Sequence, residues 1–355
     1  MRAAPTCLAC LLLCAAPSAQ AARRASVRFV LEVENTGKAP LRDVVVRLLL
    51  PKGDARQEVE LCELSAGLER RRDGYGNLLA EVGRAELAPG ARLRAQWFAT
   101  VAIRPFARDR ALLEPPVLDD EDRAYYLADA RVYGLGTPAV KDLAAELCDG
   151  LDDPLQKVHA LHAGVCDKLH YVRDGRWDPA PTCLERGSGS CTEYAFCFIA
   201  LARAAGLPAR WAGGLTCRDP KAALYVDKVF HRWAEVWLPD RGWYPVDCSR
   251  GDGEGRDERS PPPRLGRVGQ DLLILMQGDG GARSRTRHSY HSDRSWRGRR
   301  QAARAGYWTR AVTKDELAAL RERPADAAAP EDAALRQAWR FLRGEGLEPK
   351  PVGTR

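Results

Sequence analysis

Gly187-Ser188-Gly189-Ser190-Cys191-Thr192-Glu193-Tyr194-Ala195-Phe196 decides the reading of this chain. A Gly/Ser loop runs directly into an apolar segment in which Ala195, Phe196, Ile199 and Ala200 recur at helical spacing. Gly206-Leu207-Pro208 then ends the segment as a helix stop. Cys191 therefore stands at a helix N-terminus, where unpaired N–H groups and the helix dipole favour thiolate over thiol. The same N–H groups suit a developing oxyanion, and Gly187 and Gly189 admit a substrate close to the backbone. A buried structural cysteine fits this position too, so the loop and helix alone leave both readings open.

Two further segments add an imidazole and a carboxylate. Phe230-His231-Arg232-Trp233-Ala234-Glu235-Val236-Trp237-Leu238 alternates as a strand, with His231, Trp233, Glu235 and Trp237 on one face. Pro239-Asp240-Arg241-Gly242 makes a turn, and Trp243-Tyr244-Pro245-Val246-Asp247 returns. The midpoint between His231 and Asp247 falls at Pro239, close to the turn centre, so an antiparallel pairing brings the two side chains together, adjusted by a bulge. A carboxylate beside an imidazole fixes its tautomer and supports its charged form. The spacing thus marks Cys191, His231 and Asp247 as a candidate thiol, imidazole and carboxylate set, with the thiolate as the nucleophile. The competing reading is a structural hydrogen bond between strand and turn.

These segments resemble the transglutaminase-like superfamily. The stretch 187–195 resembles its nucleophile motif, and Ala202-Arg203-Ala204-Ala205-Gly206-Leu207-Pro208-Ala209-Arg210 the helix end that follows it. His231–Trp237 and Gly242–Asp247 are similar to its histidine and aspartate segments, and the resemblance covers residues 137–252. It implies a papain-like α+β core and an acyl-thioester drawn from a side-chain or main-chain amide. Water resolves that thioester by hydrolysis, or an amine by crosslinking; the motifs do not choose between them. Nothing in the resemblance calls for calcium or another cofactor.

From Ser26 to Arg104 the period is two. Val27–Glu34, Val44–Leu50 and Leu93–Ile103 read as strands between turns at Asn35-Thr36-Gly37, Pro51-Lys52-Gly53 and Gly74-Tyr75-Gly76-Asn77. This predicts a small all-β sandwich over 26–106. Gln57-Glu58-Val59 and Asp73–Asn77 resemble the β-domain that precedes such cores in exported bacterial members. Residues 107–136, with Pro115-Pro116 and the acidic run Asp119–Asp122, read as a linker. The core is expected over 137–312, with a loop at 253–263 and a strand at 271–276, and surface helices over 313–355. The expected fold class is α+β, a papain-like/transglutaminase-like core preceded by a small sandwich.

The first residues read as a secretory leader, residues 1–21, with Arg2, an apolar stretch from Cys7 to Ala16 and the small-x-small site Ala19-Gln20-Ala21. The expected location is periplasmic or extracellular. Of the 11 cysteines, three lie in that leader. None of the rest forms a C-x-x-C pair, which sets aside zinc-ribbon and thioredoxin-like readings. Once Cys191 is reserved as nucleophile an odd number remains, so at least one more thiol stays unpaired; sequence does not choose the bridges.

His159, His162, Cys166 and His170 form one helical stripe. A single helix offers only two adjacent ligands, so the stripe reads as a core boundary and no metal is expected. Gly281–Arg310 holds nine arginines against the single acid Asp293, which by itself exceeds the chain's net charge of +7. Basicity is thus a local feature. The segment reads as a solvated face of the core; an anionic envelope surface is its conceivable partner and nucleic acid is set aside. The expected function is exported, thiol-dependent acyl transfer on a peptide or protein substrate, without a cofactor. The alternative is a catalytically silent scaffold or envelope-binding protein that keeps the fold.

Overall fold

The computed structural model describes residues 21–108, 111–250, 264–296 and 298–347. Residues 1–20 of the leader expected over 1–21, and the loop expected at 253–263, lie outside the described residues. Six strands open the chain: β1 (Arg23–Asn35), β2 (Leu41–Leu49), β3 (Gln57–Leu64), β4 (Glu69–Arg72), β5 (Leu78–Leu87) and β6 (Arg92–Ile103). They form two packed sheets, and two late strands complete them. Arg300–Arg310 pairs with β1 along its whole length, and His291–Trp296 pairs with β2. The first sheet runs Tyr225–Asp227, Arg300–Arg310, β1, β6, β3; the second runs His291–Trp296, β2, β5, β4. The sandwich is therefore not confined to 26–106.

Residues 291–310, expected in the catalytic core, are sandwich strands. The reason is packing: β1 is buried on both faces and needs a neighbour on each side. Val27, Phe29, Leu31 and Val33 face the inter-sheet core with Val44, Val46, Leu48 and Trp97, whose indole N–H donates to the Leu49 carbonyl at 2.9 Å. The opposite face carries Arg28, fully buried, whose guanidinium reaches Gln96 at 3.0 Å and Gln337 at 3.1 Å. Two C-terminal helices, Lys314–Glu322 and Ala333–Leu342, cover that side and bury Phe98 against Leu317 and Phe341. They seal the outer face of a sheet.

The 107–136 stretch is also more ordered than a linker. Asp119 caps a helix, Asp120–Leu127, by accepting from the Asp122 N–H at 2.8 Å. The acidic run lies in its first turn, where the dipole favours negative charge. Arg283 answers with ion pairs to Glu121 (2.6 Å) and Asp122 (2.8 Å), so one arginine of the basic segment is neutralised here.

The core is α+β. Its sheet runs Arg264–Leu265, Gly242–Asp247, His231–Leu238, Ala209–Thr216, Leu272–Gly278, all antiparallel. Helices Pro138–Leu147, Pro154–Lys168 and Ala180–Arg186 pack around the helix Cys191–Ala204. That helix is apolar all round, and every residue from Cys191 to Arg203 is buried. Its basic end is held by the buried Arg203–Asp279 pair at 2.7 Å, with Tyr133 and His288 also bonded to Asp279.

The sandwich grips the free edge of the core sheet through side-chain amides. Gln57 donates to the Ile274 carbonyl and accepts from its N–H, each at 2.8 Å. Asn77 does the same for Gln277, at 2.9 and 3.0 Å. Each amide copies a missing strand neighbour and blocks the edge. Nearby, the fully buried Glu235 is bound by Arg56 at 2.6 Å, Arg210 at 2.7 Å and the Gln277 amide at 2.9 Å. Burial pushes that carboxyl up, but the two guanidiniums prevail and hold it at about 2, against an ordinary 4.5.

Breaking a buried ion pair on one side leaves uncompensated charge. Glu235→Gln is expected to lower stability by about 3 kcal/mol in urea unfolding at pH 7. Because the folded value lies below the unfolded one, this contribution is present above pH 4.5 and is lost as pH falls toward 2. The gap between the two proteins should therefore close across that window. A gap that persists unchanged at pH 3 would show that the carboxylate's charge is not what stabilises the interface.

Candidate active site

Cys191 is the first residue of its helix and 4% exposed. Gly187 closes the preceding helix in the left-handed region at φ 73°. Gly189 is required by space, since a Cβ there would stand 2.5 Å from the Glu193 Cβ. Glu193 reaches back to the Ser190 N–H at 2.9 Å and its hydroxyl at 2.5 Å, closing the helix start around the thiol. The loop also pairs in parallel with His170–Tyr171, placing Tyr171 opposite Gly189. The Tyr171 side chain stands beside Cys191.

His231 opens its strand and is aimed by a strained residue. Phe230 holds φ at +65°, rare for a bulky side chain, and is fully buried. Asp227 makes that turn by accepting from the Val229 and Phe230 N–H groups at 3.0 and 2.9 Å and from the Thr216 N–H at 2.7 Å. Tyr290 packs on Phe230 with ring centroids 4.3 Å apart, and its hydroxyl donates to the His231 carbonyl at 3.3 Å.

The strand register sets Ala234 opposite Val246, so Asp247 falls diagonal to His231 on the same face. Their contact is His231 Nε2 to Asp247 Oδ2 at 2.6 Å, reached without the bulge expected from the spacing. The Asp247 carboxylate also accepts from the Ser249 hydroxyl at 3.0 Å, and the Arg250 Nε lies 3.6 Å away. With Nε2 engaged, Nδ1 is the ring nitrogen left for the thiol, and the Cys191 and His231 side chains lie close enough to shift each other's ionisation. The structure thus brings His231 and Asp247 into contact and sets Cys191 beside them.

The electrostatics favour charge separation. Burial raises the Cys191 thiol, but the His231 hydrogen bond and charge, with Arg232 behind them, outweigh it and leave the thiol below its ordinary value. Burial lowers His231, and the Asp247 charge and hydrogen bond overcome that and raise it. Asp247 is pushed up by burial yet ends low, held by His231 and Arg250. Thiolate and imidazolium are thus both favoured.

Sequence reading missed Tyr171, Arg232, Ser249 and Arg250. Arg232 lies beside His231 in the recognised segment, but alternation put it on the opposite face; it is 6% exposed and spans the rings of Trp177 and Tyr290 at 4.8 and 4.7 Å. Tyr171 arrives through a two-residue parallel pairing too short to leave a pattern.

The histidine stripe divides: His159 and His170 are exposed, while His162 and Cys166 are buried. Cys248 supplies the third group that one helix cannot, and the three ligand atoms lie within 4.8 Å of one another. The Cys166 sulfur stands 3.9 and 3.8 Å from the two His162 ring nitrogens and donates to the Cys248 carbonyl at 3.4 Å. Equal distance to both nitrogens is the geometry of packing, not of one aimed lone pair. A larger hollow on the sandwich, about 680 Å³ and lined by residues including Asp43, Val44, Arg84, Arg294 and Ser295, has no thiol or imidazole in its lining.

Residues 141–248 match the family described as the transglutaminase-like superfamily. The protein-glutamine gamma-glutamyltransferase of Pseudomonas aeruginosa is 31% identical over 121 residues, 32% of this chain and 18% of that protein. Protein YebA of Bacillus subtilis is 32% identical over 76 residues, 19% of this chain and 10% of its own length. This chain therefore spans less than a fifth of either. A solved structure from Cytophaga hutchinsonii, described as a candidate cysteine protease, superposes with TM-score 0.59 at 16% identity over 82% of this chain and 92% of that one. That likeness establishes the α+β fold.

A thiolate–imidazolium pair makes a specific pH prediction. Alkylation of Cys191 by iodoacetamide should change by less than about threefold from pH 8 to pH 6, whereas an ordinary thiol slows roughly tenfold per unit. His231→Ala should restore the steep dependence. Mass spectrometry of the adduct reads both, and a steep profile in the unsubstituted protein would exclude the ion pair.

Proposed function

We propose, from the match of residues 141–248 to the transglutaminase-like superfamily, that this chain is a thiol-dependent acyl-transfer enzyme acting outside the cytoplasm on peptide or protein amides. The observation that carries the reading is the 2.6 Å bond between the buried Asp247 carboxylate and the His231 imidazole, with the buried Cys191 thiol beside it at a helix N-terminus. The leader over 1–21 supports the location.

The thiolate Sγ attacks the amide carbon and forms a C–S bond. The Cys191 N–H and the neighbouring Tyr171 phenol are the donors at hand for the resulting oxyanion. The His231 imidazolium gives its proton to the leaving nitrogen as the C–N bond breaks, leaving a thioester and neutral imidazole. Water or an amine then attacks the thioester, His231 takes its proton, and the C–S bond breaks to return the thiolate. Asp247 keeps the ring orientated and its charged form favoured throughout.

The test is a panel of synthetic peptides with glutamine side-chain amides and internal main-chain amides, assayed with and without an added primary amine. Mass spectrometry separates cleaved, deamidated and amine-linked products. Cys191→Ala should abolish all three. Tyr171→Phe should lower kcat by about 10–100-fold with little movement of KM, the mark of a group acting on the transition state. Inactivity across the panel, with Cys191 labelling as an ordinary thiol, would favour the scaffold reading.

A further inference from the structure

The open side of the site is a cleft of about 360 Å³ lined by Tyr171, Arg173, Arg218, His231, Ser249 and Arg250. Half of these side chains are guanidiniums and none is a carboxylate. Arg250 is committed inward, to Asp271 at 2.7 Å and the Thr216 hydroxyl at 3.1 Å. Arg218 is exposed and reaches only the Tyr225 hydroxyl, at 3.5 Å. Its neighbour Asp219 instead accepts from the Lys221 N–H at 3.1 Å. Arg173 is exposed and makes no ion pair among the described residues, whereas Arg176 on the same loop is matched by Asp174 at 3.4 Å. Behind the wall, the buried Arg232 faces aromatic rings and its Nε has no hydrogen-bond partner among the described residues. The cleft beside the imidazole thus carries two exposed guanidiniums, Arg173 and Arg218, that form no ion pair with a carboxylate among the described residues.

We propose that this cleft selects an acyl donor carrying a carboxylate next to the reacting amide, with Arg173 and Arg218 as its binding groups. The proposal rests on the acyl-transfer reading above and names the substrate class of that site. Guanidiniums present paired N–H donors that match a carboxylate. A cleft walled by protein concentrates their field more than an open surface does. Its volume is at the small end for ligand sites, enough for one acidic side chain or one chain terminus. Those two sources share one chemistry, and the experiment separates them.

The first measurement needs no turnover. Cys191 is alkylated by iodoacetate, an anion, and by iodoacetamide, its neutral analogue, and the ratio of the two rates is compared with that for glutathione. His231 and Arg232 contribute to this ratio equally in every variant. Relative to the unsubstituted protein, the Arg173→Gln/Arg218→Gln double variant should show a ratio about tenfold lower, and 1 M NaCl should produce much of the same drop. Arg173→Lys/Arg218→Lys should restore most of it. A ratio unmoved by the glutamine substitutions overturns the proposal.

The second measurement compares kcat/KM for peptides whose reacting amide is flanked by Glu, Gln or Lys, each with a free or an amidated C-terminus. The expected result is about a tenfold preference for the carboxylate-bearing peptides, expressed in KM and lost in the double glutamine variant. Preference for Glu whatever the terminus assigns the cleft to an acidic side chain, and preference only for free termini assigns it to a chain end. Turnover without charge preference overturns the proposal and leaves the acyl-transfer reading standing. A charge-selective alkylation ratio with no peptide turned over would retain the anion-selective cleft and bring down the acyl-transfer reading instead.

Discussion

A single buried carboxylate, Glu235, ties the two halves of this molecule together. It stands on the histidine strand, four residues after His231 and on the same face, and it is fully enclosed. Its charge survives burial because two guanidiniums and an amide bind it: Arg56 from the sandwich, Arg210 from the neighbouring core strand and Gln277 from the sheet edge. Those arginines are themselves packed on aromatic rings, Arg210 over Trp243 at 3.9 Å and Arg56 over Phe106 at 5.2 Å. Each group is costly to bury alone and acceptable only in company. The strand that carries the imidazole is therefore held in place by an interaction that needs the sandwich, and the sandwich works as a brace for the site.

The site repeats this logic with a different balance. Around Glu235 two guanidiniums meet two carboxylates, since Arg56 also pairs with Asp54 at 3.0 Å; around Cys191 the imidazole and Arg232 favour the ionised sulfur and Asp247 opposes it. Burial would silence an isolated thiol, so the neighbours must supply more than burial removes. The same enclosure that penalises charge also strengthens every electrostatic contact inside it. Strain enters only at Phe230, where a turn built on Asp227 forces a bulky residue to positive φ in order to present His231.

What was legible in the sequence was local. Cys191 could be found because a flexible loop and a helix start are adjacent in sequence, and His231 and Asp247 because a tight turn makes their separation a geometric statement. The α+β class of the core followed from the family resemblance that these segments carry. The groups that shape the cleft were hidden for the opposite reason: Tyr171, Arg173 and Arg218 sit on short connections whose positions depend on pairings such as His170 with Ser188. The extent of the sandwich was equally out of reach, because Val27 to Glu34 records that a strand exists and not which distant segment lies beside it. The acids at 119–122 read as a linker since only the folded chain reveals that they begin a helix and meet Arg283.

The return of Arg300–Arg310 to β1 also governs the order in which the chain can be assembled. Ser26 and Thr309 are joined by a hydrogen bond although they are 283 positions apart. During synthesis β1 emerges early and must wait, one edge open, until nearly all of the chain has been made. Contacts of such long sequence separation close slowly, and an unpaired apolar edge is a template for association with other chains. The architecture thus favours a chain kept unfolded until its last strands are available.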